Sequence, residues 1–296
     1  MDWNVFQLTL ASAVRMSIPL ILVSTGGIFS IKSGIVAMGL EGMMLFGAFS
    51  AAYVAYVTGN PYLGVAASAI GGMLMSMMLG VLIIKFKIDQ VIGGVGLNIF
   101  ALGMTTLLMV IVWGNRGRSA ELPRVHNFDL PLIGRISPLF FIAIILVLAA
   151  WFIIYKTKYG LHLRMTGENP QAAMSVGIQV KRVKYIAMAA TGALAGLSGS
   201  YFSIDQLNIF TRNISAGRGF IGLSICILGR YHPFGIVAGS FLFGIADALQ
   251  IFLQRYNIPG QLLSIIPFLV TLLVIVFGVR YVKAPAAIVK NLDVDY

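Results

Sequence analysis

Two carboxylates, Glu41 and Asp247, stand inside long apolar stretches of the sequence. A charged side chain in lipid is costly, so an acid in such a stretch is by default a candidate functional group. Asn98 and Gln250 place uncharged polar groups in similar surroundings. One interpretation is that these four side chains line a path for a small solute that forms hydrogen bonds.

A structural role for the same acids is the alternative. Glu41 and Asp247 could cap helix ends, or they could pair with Arg15 and Arg218, since buried charges need partners. A third interpretation is a secondary transporter in which one acid is a proton site. Two acids without intramembrane histidines or lysines would make a sparse proton relay.

Residue patterns typical of enzymes and metal sites are absent from the sequence. It has no G-x-x-x-x-G-K-[ST] phosphate loop and no G-x-S-x-G nucleophile elbow. His126, His162 and His232 are widely spaced, and Cys226 is the single cysteine. We therefore expect no catalytic residues, no metal site and no cofactor in this chain.

The composition predicts a membrane-spanning helix bundle, which must position these residues. Of 296 residues, 58% are hydrophobic and 10% are charged, and the mean hydropathy is +0.91. Soluble domains carry roughly 25% charged residues. The net charge of +11 comes from basic residues at the ends of apolar spans, where they set orientation and meet lipid headgroups. We therefore predict no nucleic-acid partner.

The apolar spans predict an all-α fold with about 8–10 transmembrane segments, given roughly 20 residues per crossing. We treat residues 1–296 as one transmembrane domain. The stretch 217–228 is too short to cross, which predicts a half-helix or re-entrant segment. Asn60-Pro61, Asp89 and Ser137-Pro138 carry the chemistry of helix starts. The predicted spans are 10–29, 35–57, 62–84, 91–113, 138–155, 185–203, 217–228, 234–253 and 262–279.

The polar loop 156–184 carries six basic residues and one acid, Glu168, which places it in the cytoplasm. Asn169 is a suitable N-cap and Pro170 suits the first helical position. A helix over 171–176 would then end at Gly177. This short helix is either a surface gripped by another protein or an ordinary capped loop helix.

Alternation of the spans sets the rest of the topology. It places 30–34 and 85–90 on the same cytoplasmic side as the loop 156–184. The C-terminus also falls on this side, provided that 217–228 counts as one crossing. The N-terminus and the loop 114–137 then lie outside, although that loop contains four arginines.

Five stretches resemble a known family of membrane proteins. GENPQAAMSVGI (167–178) is similar to the cytoplasmic coupling segment of bacterial ABC-importer permeases, with paired alanines at Ala172 and Ala173 followed by Gly177. The other four resemble the branch that serves nucleosides and simple sugars, and the apolar pattern extends the likeness over nearly the whole chain. They are GLEGMMLFGAF (39–49), DQVIGGVGLNIFALG (89–103), AGRGFIGLSICILGR (216–230) and FGIADALQ (243–250).

The resemblance implies a multi-pass permease in the bacterial cytoplasmic (inner) membrane. It would form a translocation pore with a second, related permease, above a cytoplasmic ABC ATPase that holds the ATP and Mg²⁺. A solute-binding lipoprotein outside would deliver a nucleoside, or alternatively a simple sugar or riboflavin. The positions that match the coupling segment are Glu168, Asn169, Pro170, Ala172, Ala173 and Gly177.

Overall fold

The computed structural model describes residues 3–126, 128–130, 134–253, 265, 269–270, 272–273 and 285–289. Long helices dominate this part of the chain, which confirms the predicted all-α helix bundle. One short antiparallel hairpin, β1 (Phe128–Leu130) with β2 (Gly134–Ile136), was not predicted. The helices are α1 (Trp3–Lys32), α2 (Leu40–Thr58), α3 (Pro61–Ile84), α4 (Gln90–Trp113), α5 (Pro138–Lys156), α6 (Lys158–Glu168), α7 (Pro170–Ser175), α8 (Val180–Ser200), α9 (Arg218–Leu228), α10 (Pro233–Leu253) and α11 (Ala286–Val289).

Six of the described helices are long and apolar enough to cross a membrane: α1 to α5 and α10. Helix α8 has a comparable length of 21 residues, but it begins with several basic residues. A π-helix, Tyr201–Gln206, continues it. The predicted spans up to residue 253 correspond to α1 to α5 and α8 to α10. The predicted span 262–279 lies almost entirely outside the described residues.

Side-chain caps begin three of the spans, as the sequence predicts. Asn60 accepts a hydrogen bond from the Tyr62 amide at 2.9 Å. Asp89 accepts from the amides of Val91 and Ile92, and the Ser137 hydroxyl accepts from the Leu139 amide at 3.2 Å. These bonds satisfy amides of the first helical turn that have no partner within the helix.

Helices α1, α2, α3 and α8 form the centre of the bundle, whereas α4 lies at its edge. On α4, Ile92, Ile99 and Ile111 are each about 70% exposed. Such an apolar, exposed surface is what a lipid-facing helix presents. The central helices approach closely through small residues: a Cβ built on Gly72 of α3 would lie 2.7 Å from the Gly196 Cα of α8.

Gly196→Ala is expected to destabilise the bundle by about 1–3 kcal/mol, the usual cost of overpacking a close contact. The added methyl group would collide with the Ser68 carbonyl oxygen, which is backbone and cannot move aside cheaply. The thermal midpoint of the purified protein should fall. Gly96→Ala on α4 is the matched control, because nothing lies within 4 Å of the added Cβ there. Equal midpoints for the two variants would contradict the close α3–α8 packing.

The end of the bundle that holds residues 156–184 is called the loop end, and the other end is called the far end. Gly167 packs against the carbonyl of Lys32 at the end of α1. Gly80, near the end of α3, lies beside Tyr185, near the start of α8. Residues 30–34 and 85–90 therefore share the loop end, as the alternation of spans predicts.

Helix α9 confirms the predicted half-helix. Its 11 residues extend about 16 Å, roughly half of the apolar thickness of a bilayer. The segment 207–217 before it is irregular, yet Phe210 and Ile214 are buried. Its backbone bonds the loop at the far end, with the Ser119 amide donating to the Phe210 carbonyl at 2.8 Å. Protein therefore covers this non-helical stretch, as a re-entrant segment requires.

Candidate functional site

The polar loop 156–184 is more helical than the sequence predicts, since it contains α6 as well as α7. The Thr157 hydroxyl begins α6 by accepting from the Gly160 amide at 3.2 Å. The Tyr159 hydroxyl donates to the Val183 carbonyl at 3.2 Å, and burial raises the pKa of Tyr159 above its ordinary value, so it stays a donor. Helix α6 is therefore held against α8.

Helix α7 begins and ends through the residues that the sequence singles out. The Asn169 side chain accepts from the Ala172 amide at 3.0 Å, and Pro170 is the first helical residue. The helix ends at Ser175, one residue earlier than expected. Gly177 follows with φ of +83°, the left-handed conformation that favours glycine.

The two alanines of α7 have different surroundings. Ala172 is exposed together with Gln171 and Ser175. Ala173 is fully buried within the chain. The sequence interpretation in which both alanines meet a partner therefore needs correction for Ala173, because its side chain is covered by the permease fold itself. Ala172 remains the alanine through which a partner could approach α7 closely.

An apolar cavity of about 380 Å³ lies beside α7 at the loop end. Met174 and Ile178 lie on the α7 side of this cavity, and Val180 begins α8 on the other side. Lys181 and Arg182 add positive charge to its wall. The exposed part of α7 and this cavity form one continuous surface, which we call the coupling surface.

Glu168, the acid of the loop, contacts the C-terminal segment. Its carboxylate accepts from the Ala286 amide of α11 at 3.4 Å. Residues 285–289 therefore lie at the loop end, on the side to which the alternation of spans assigns the C-terminus. The basic residues of the C-terminal tail, Arg280, Lys283 and Lys290, lie outside the described residues.

Glu41 caps the half-helix α9. Its two carboxylate oxygens accept from the amides of Gly217 at 2.8 Å and Gly219 at 2.7 Å. The side chain is buried at 8% exposure. Since Glu41 also lies in the first turn of α2, one carboxylate stands between the positive ends of two helix dipoles. This arrangement supplies the partners that an acid needs inside an apolar bundle.

Asn98 fixes the start of α2, which also begins inside the bundle. Its side-chain oxygen accepts from the Gly42 amide at 2.8 Å, and its side-chain nitrogen donates to the Met38 carbonyl at 3.0 Å. The Gln90 side chain accepts from the Val36 amide at 2.7 Å. Helix α4 therefore supplies polar partners for the irregular backbone that precedes α2.

Asn98→Ala is expected to lower the stability of the permease by about 1–3 kcal/mol, because it leaves two part-buried backbone groups unpaired. Chemical denaturation in detergent would measure the loss. Asn115→Ala provides the matched control, since Asn115 accepts one bond from the Gly117 amide at an exposed position. A loss at position 98 no larger than that at 115 would show that α2 keeps its start without this side chain.

Asp247, on α10, lies close to the start of α9. Its carboxylate lies 3.9 Å from the Arg218 guanidinium, which stands over the Phe202 ring at 4.8 Å. Gln250 is half-buried one turn further along α10. The structure thus brings Glu41 and Asp247 to consecutive residues, 217–219, at the start of α9.

The sequence alone does not indicate these pairings. The Gly217 and Gly219 amides that hold Glu41 carry no side-chain signal, and 176 residues separate Glu41 from Gly217. Asp205, on the π-helix, was also missed, because no sequence pattern marks that helix type. Within the described part of the chain, no three His, Cys, Asp or Glu residues lie close enough to hold a metal ion.

Comparison with known protein families identifies the family of this chain. The family described as branched-chain amino acid transport system, permease component, matches residues 9–275. The chain belongs to this family. It is a multi-pass membrane protein, and the permeases of this family are membrane components rather than ATPases.

Several permeases are similar to this chain over nearly their whole length. The guanosine ABC transporter permease protein NupQ of Bacillus subtilis is 31% identical over 96% of both chains. The nucleoside ABC transporter permease protein NupC of Lactococcus lactis is 30% identical, again over 96% of both. A putative glucose ABC transporter permease protein of Haloferax volcanii is 28% identical over 91% of both.

A solved structure has the same fold at low sequence identity. It is described as PsaBC from Streptococcus pneumoniae in complex with Fab, with a TM-score of 0.54 and 14% identity. The likeness covers 95% of both chains. This likeness concerns the fold alone.

Proposed function

We propose that this permease is a subunit of an ATP-driven importer of nucleosides. The observation that carries the proposal is its likeness to two nucleoside permeases across 96% of each chain. The polar groups at the start of α9 suit the hydroxyls and base edges of such solutes. They suit sugars equally well, and the glucose-permease relative makes a simple sugar the second candidate. Riboflavin is the third.

The coupling surface is the proposed docking site of a cytoplasmic ABC ATPase, which would hold ATP and Mg²⁺. Helix α7 is a rigid unit, fixed at one end by Asn169 and Pro170 and at the other by Gly177. Closure of the ATPase would pull α7, and α6, packed against α8, would pass the movement on. The spans α5 and α8 would then tilt and change which face of the membrane the pore opens to. This assigns the loop end, with the C-terminus, to the cytoplasm.

The proposed translocation path passes the start of α9, which Glu41 and Asp247 contact, and the neighbouring start of α2, which Asn98 contacts. Gln250 would extend the polar surface along α10. Because α2 and α9 both begin inside the bundle, a small tilt of either helix changes the exposure of these groups. In this role the acids act as fixed hydrogen-bond partners and not as proton carriers.

A second, non-identical permease would complete the pore. Bacillus subtilis has two proteins named as guanosine ABC transporter permeases, NupQ and NupP. This chain is 31% identical to the first and 26% identical to the second, of which it covers 82%. We propose a heterodimer on this pattern, in the bacterial inner membrane, supplied from outside by a solute-binding lipoprotein.

Reconstituted transport tests the proposal. Proteoliposomes would contain this permease, its partner permease and the ATPase, with the lipoprotein outside, and would be given radiolabelled guanosine, uridine, glucose, ribose or riboflavin. We expect nucleoside uptake that requires ATP inside and continues after a protonophore is added. Uptake that follows the proton gradient without ATP would instead indicate a secondary transporter that uses Glu41 or Asp247. ATP-driven uptake of sugars or riboflavin alone would show that one of these, and not a nucleoside, is the transported solute.

A further inference from the structure

A polar cavity of about 240 Å³ lies at the far end of the bundle, away from the coupling surface. Helix α5 runs from its cap at Ser137 to the loop end, and α8 runs from the loop end to the π-helix. The N-terminal half of α1 completes the wall. Six polar side chains line the cavity: Ser12, Arg15, Ser137, Tyr201, Asp205 and Gln206.

The π-helix presents one side of this cavity. Its wider turn is marked by the Leu207 amide, which donates to the Phe202 carbonyl five residues earlier at 3.1 Å. Tyr201, Asp205 and Gln206 all line the cavity. The wider turn brings Gln206, five residues after Tyr201, toward the face that Tyr201 and Asp205 share. Single π-turns are frequent at functional sites, because the widened backbone re-aims side chains that an α-helix would separate.

Asp205 is the unusual residue of the cavity. Its Oδ1 atom is buried, and among the residues that the structure describes it accepts no hydrogen bond. Buried acceptors are nearly always satisfied, so an unsatisfied one requires an explanation such as a missing ligand. The Arg15 guanidinium, which donates to the Ser12 hydroxyl at 3.3 Å, lines the same cavity. The cavity therefore offers a strong acceptor and a strong donor.

The chemistry of these two groups defines the ligand. A carboxylate only accepts hydrogen bonds and a guanidinium only donates them. Their charges cancel, so the site suits a neutral molecule with N–H donors beside a carbonyl acceptor. The cavity lies just below the usual size range for ligand pockets, which fits one ring system. The Watson–Crick edge of guanine has this combination: adjacent ring and amino N–H groups, and a carbonyl oxygen.

We propose that this cavity is an outer binding site for the purine base of an incoming nucleoside. Asp205 accepts from the ring and amino N–H groups, and Arg15 donates to the ring carbonyl. The inference rests on the proposed function, because it concerns the same solute at the face where the lipoprotein would deliver it. It adds a specificity-determining site outside the polar groups at the start of α9.

Binding to the complete membrane complex, without the lipoprotein, tests the site. The permease pair and ATPase would be placed in nanodiscs, and binding of guanosine and inosine would be measured. We expect tighter binding of guanosine, because inosine lacks the amino group that Asp205 would bind. Asp205→Asn should weaken guanosine binding about tenfold or more, since it removes a charged acceptor, and should reduce the preference over inosine.

Two further variants separate the outcomes. Arg15→Gln replaces the guanidinium with a shorter, uncharged donor and should weaken binding of both nucleosides alike, which tests the site even if Asp205→Asn fails to fold. Glu121→Gln, an exposed acid in the loop at the same end, should change nothing. Unchanged affinities in the Asp205 and Arg15 variants, with ATP-driven nucleoside uptake intact, would overturn this site and leave the proposed function standing. Absence of nucleoside uptake by the unmodified complex would overturn the proposed function itself.

Discussion

Ala172→Arg is expected to reduce ATP-driven uptake by about tenfold or more, while the permease stays folded. Ala172 is exposed on α7, within the coupling surface. A bulky charged side chain there prevents close docking, and a clash at a packed interface centre costs several factors of ten in affinity. Uptake into proteoliposomes and co-purification of the ATPase would both be measured.

The neighbouring alanine gives an internal contrast. Ala173 is fully buried, so Ala173→Arg should disrupt the permease itself and lower the amount recovered from membranes. Ala120→Arg makes the same change at an exposed position at the far end and should leave ATPase co-purification intact. If Ala172→Arg retains both the ATPase and normal uptake, α7 is not the docking element.

Glu41→Ala is expected to cost about 1–4 kcal/mol of stability, because it leaves one buried and one half-buried amide donor without acceptors. The Gly217 and Gly219 amides have no side chains of their own to compensate. Helix α9 would lose its cap, and the irregular segment before it would lose its anchor to α2. Denaturant titration in detergent and protease sensitivity within residues 207–217 would report the change.

Glu41→Gln should cause a smaller loss of stability at the same site. The amide keeps one acceptor oxygen but turns an NH₂ group toward the second backbone donor, so we expect an intermediate loss. Glu121→Gln, at an exposed loop position, is the control for the change of charge. Wild-type stability of Glu41→Ala would show that the carboxylate does not stabilise the contact between α2 and α9.

Local signals in the sequence predicted the helices well. Asn60, Asp89 and Ser137 each begin a span through a bond within three residues, so the information is contained in a few neighbouring letters. The same holds for Asn169 and Gly177 around α7. The short length of 217–228 correctly predicted a half-helix, because the apolar core of a bilayer has a nearly constant thickness.

Contacts between distant residues could not be predicted in this way. The sequence singled out Glu41 and Asp247, and it offered capping or pairing as one interpretation. It could not show that both acids meet residues 217–219, because backbone amides and distant pairings leave no local pattern. Helix α6 was missed because its residues are mostly polar, and its packing against α8 becomes visible only in three dimensions. The roles of these groups in transport stay predictions.

The bond between Glu41 and α9 also bears on how the protein is made. Ribosomes complete α2 long before α9, since the partners are 176 residues apart. Every nascent chain therefore holds an unmatched acid in the membrane until the last third of synthesis. Fragments truncated before residue 217 should be cleared by quality-control proteases, whereas separately expressed halves that split within the 114–126 loop should recover when produced together.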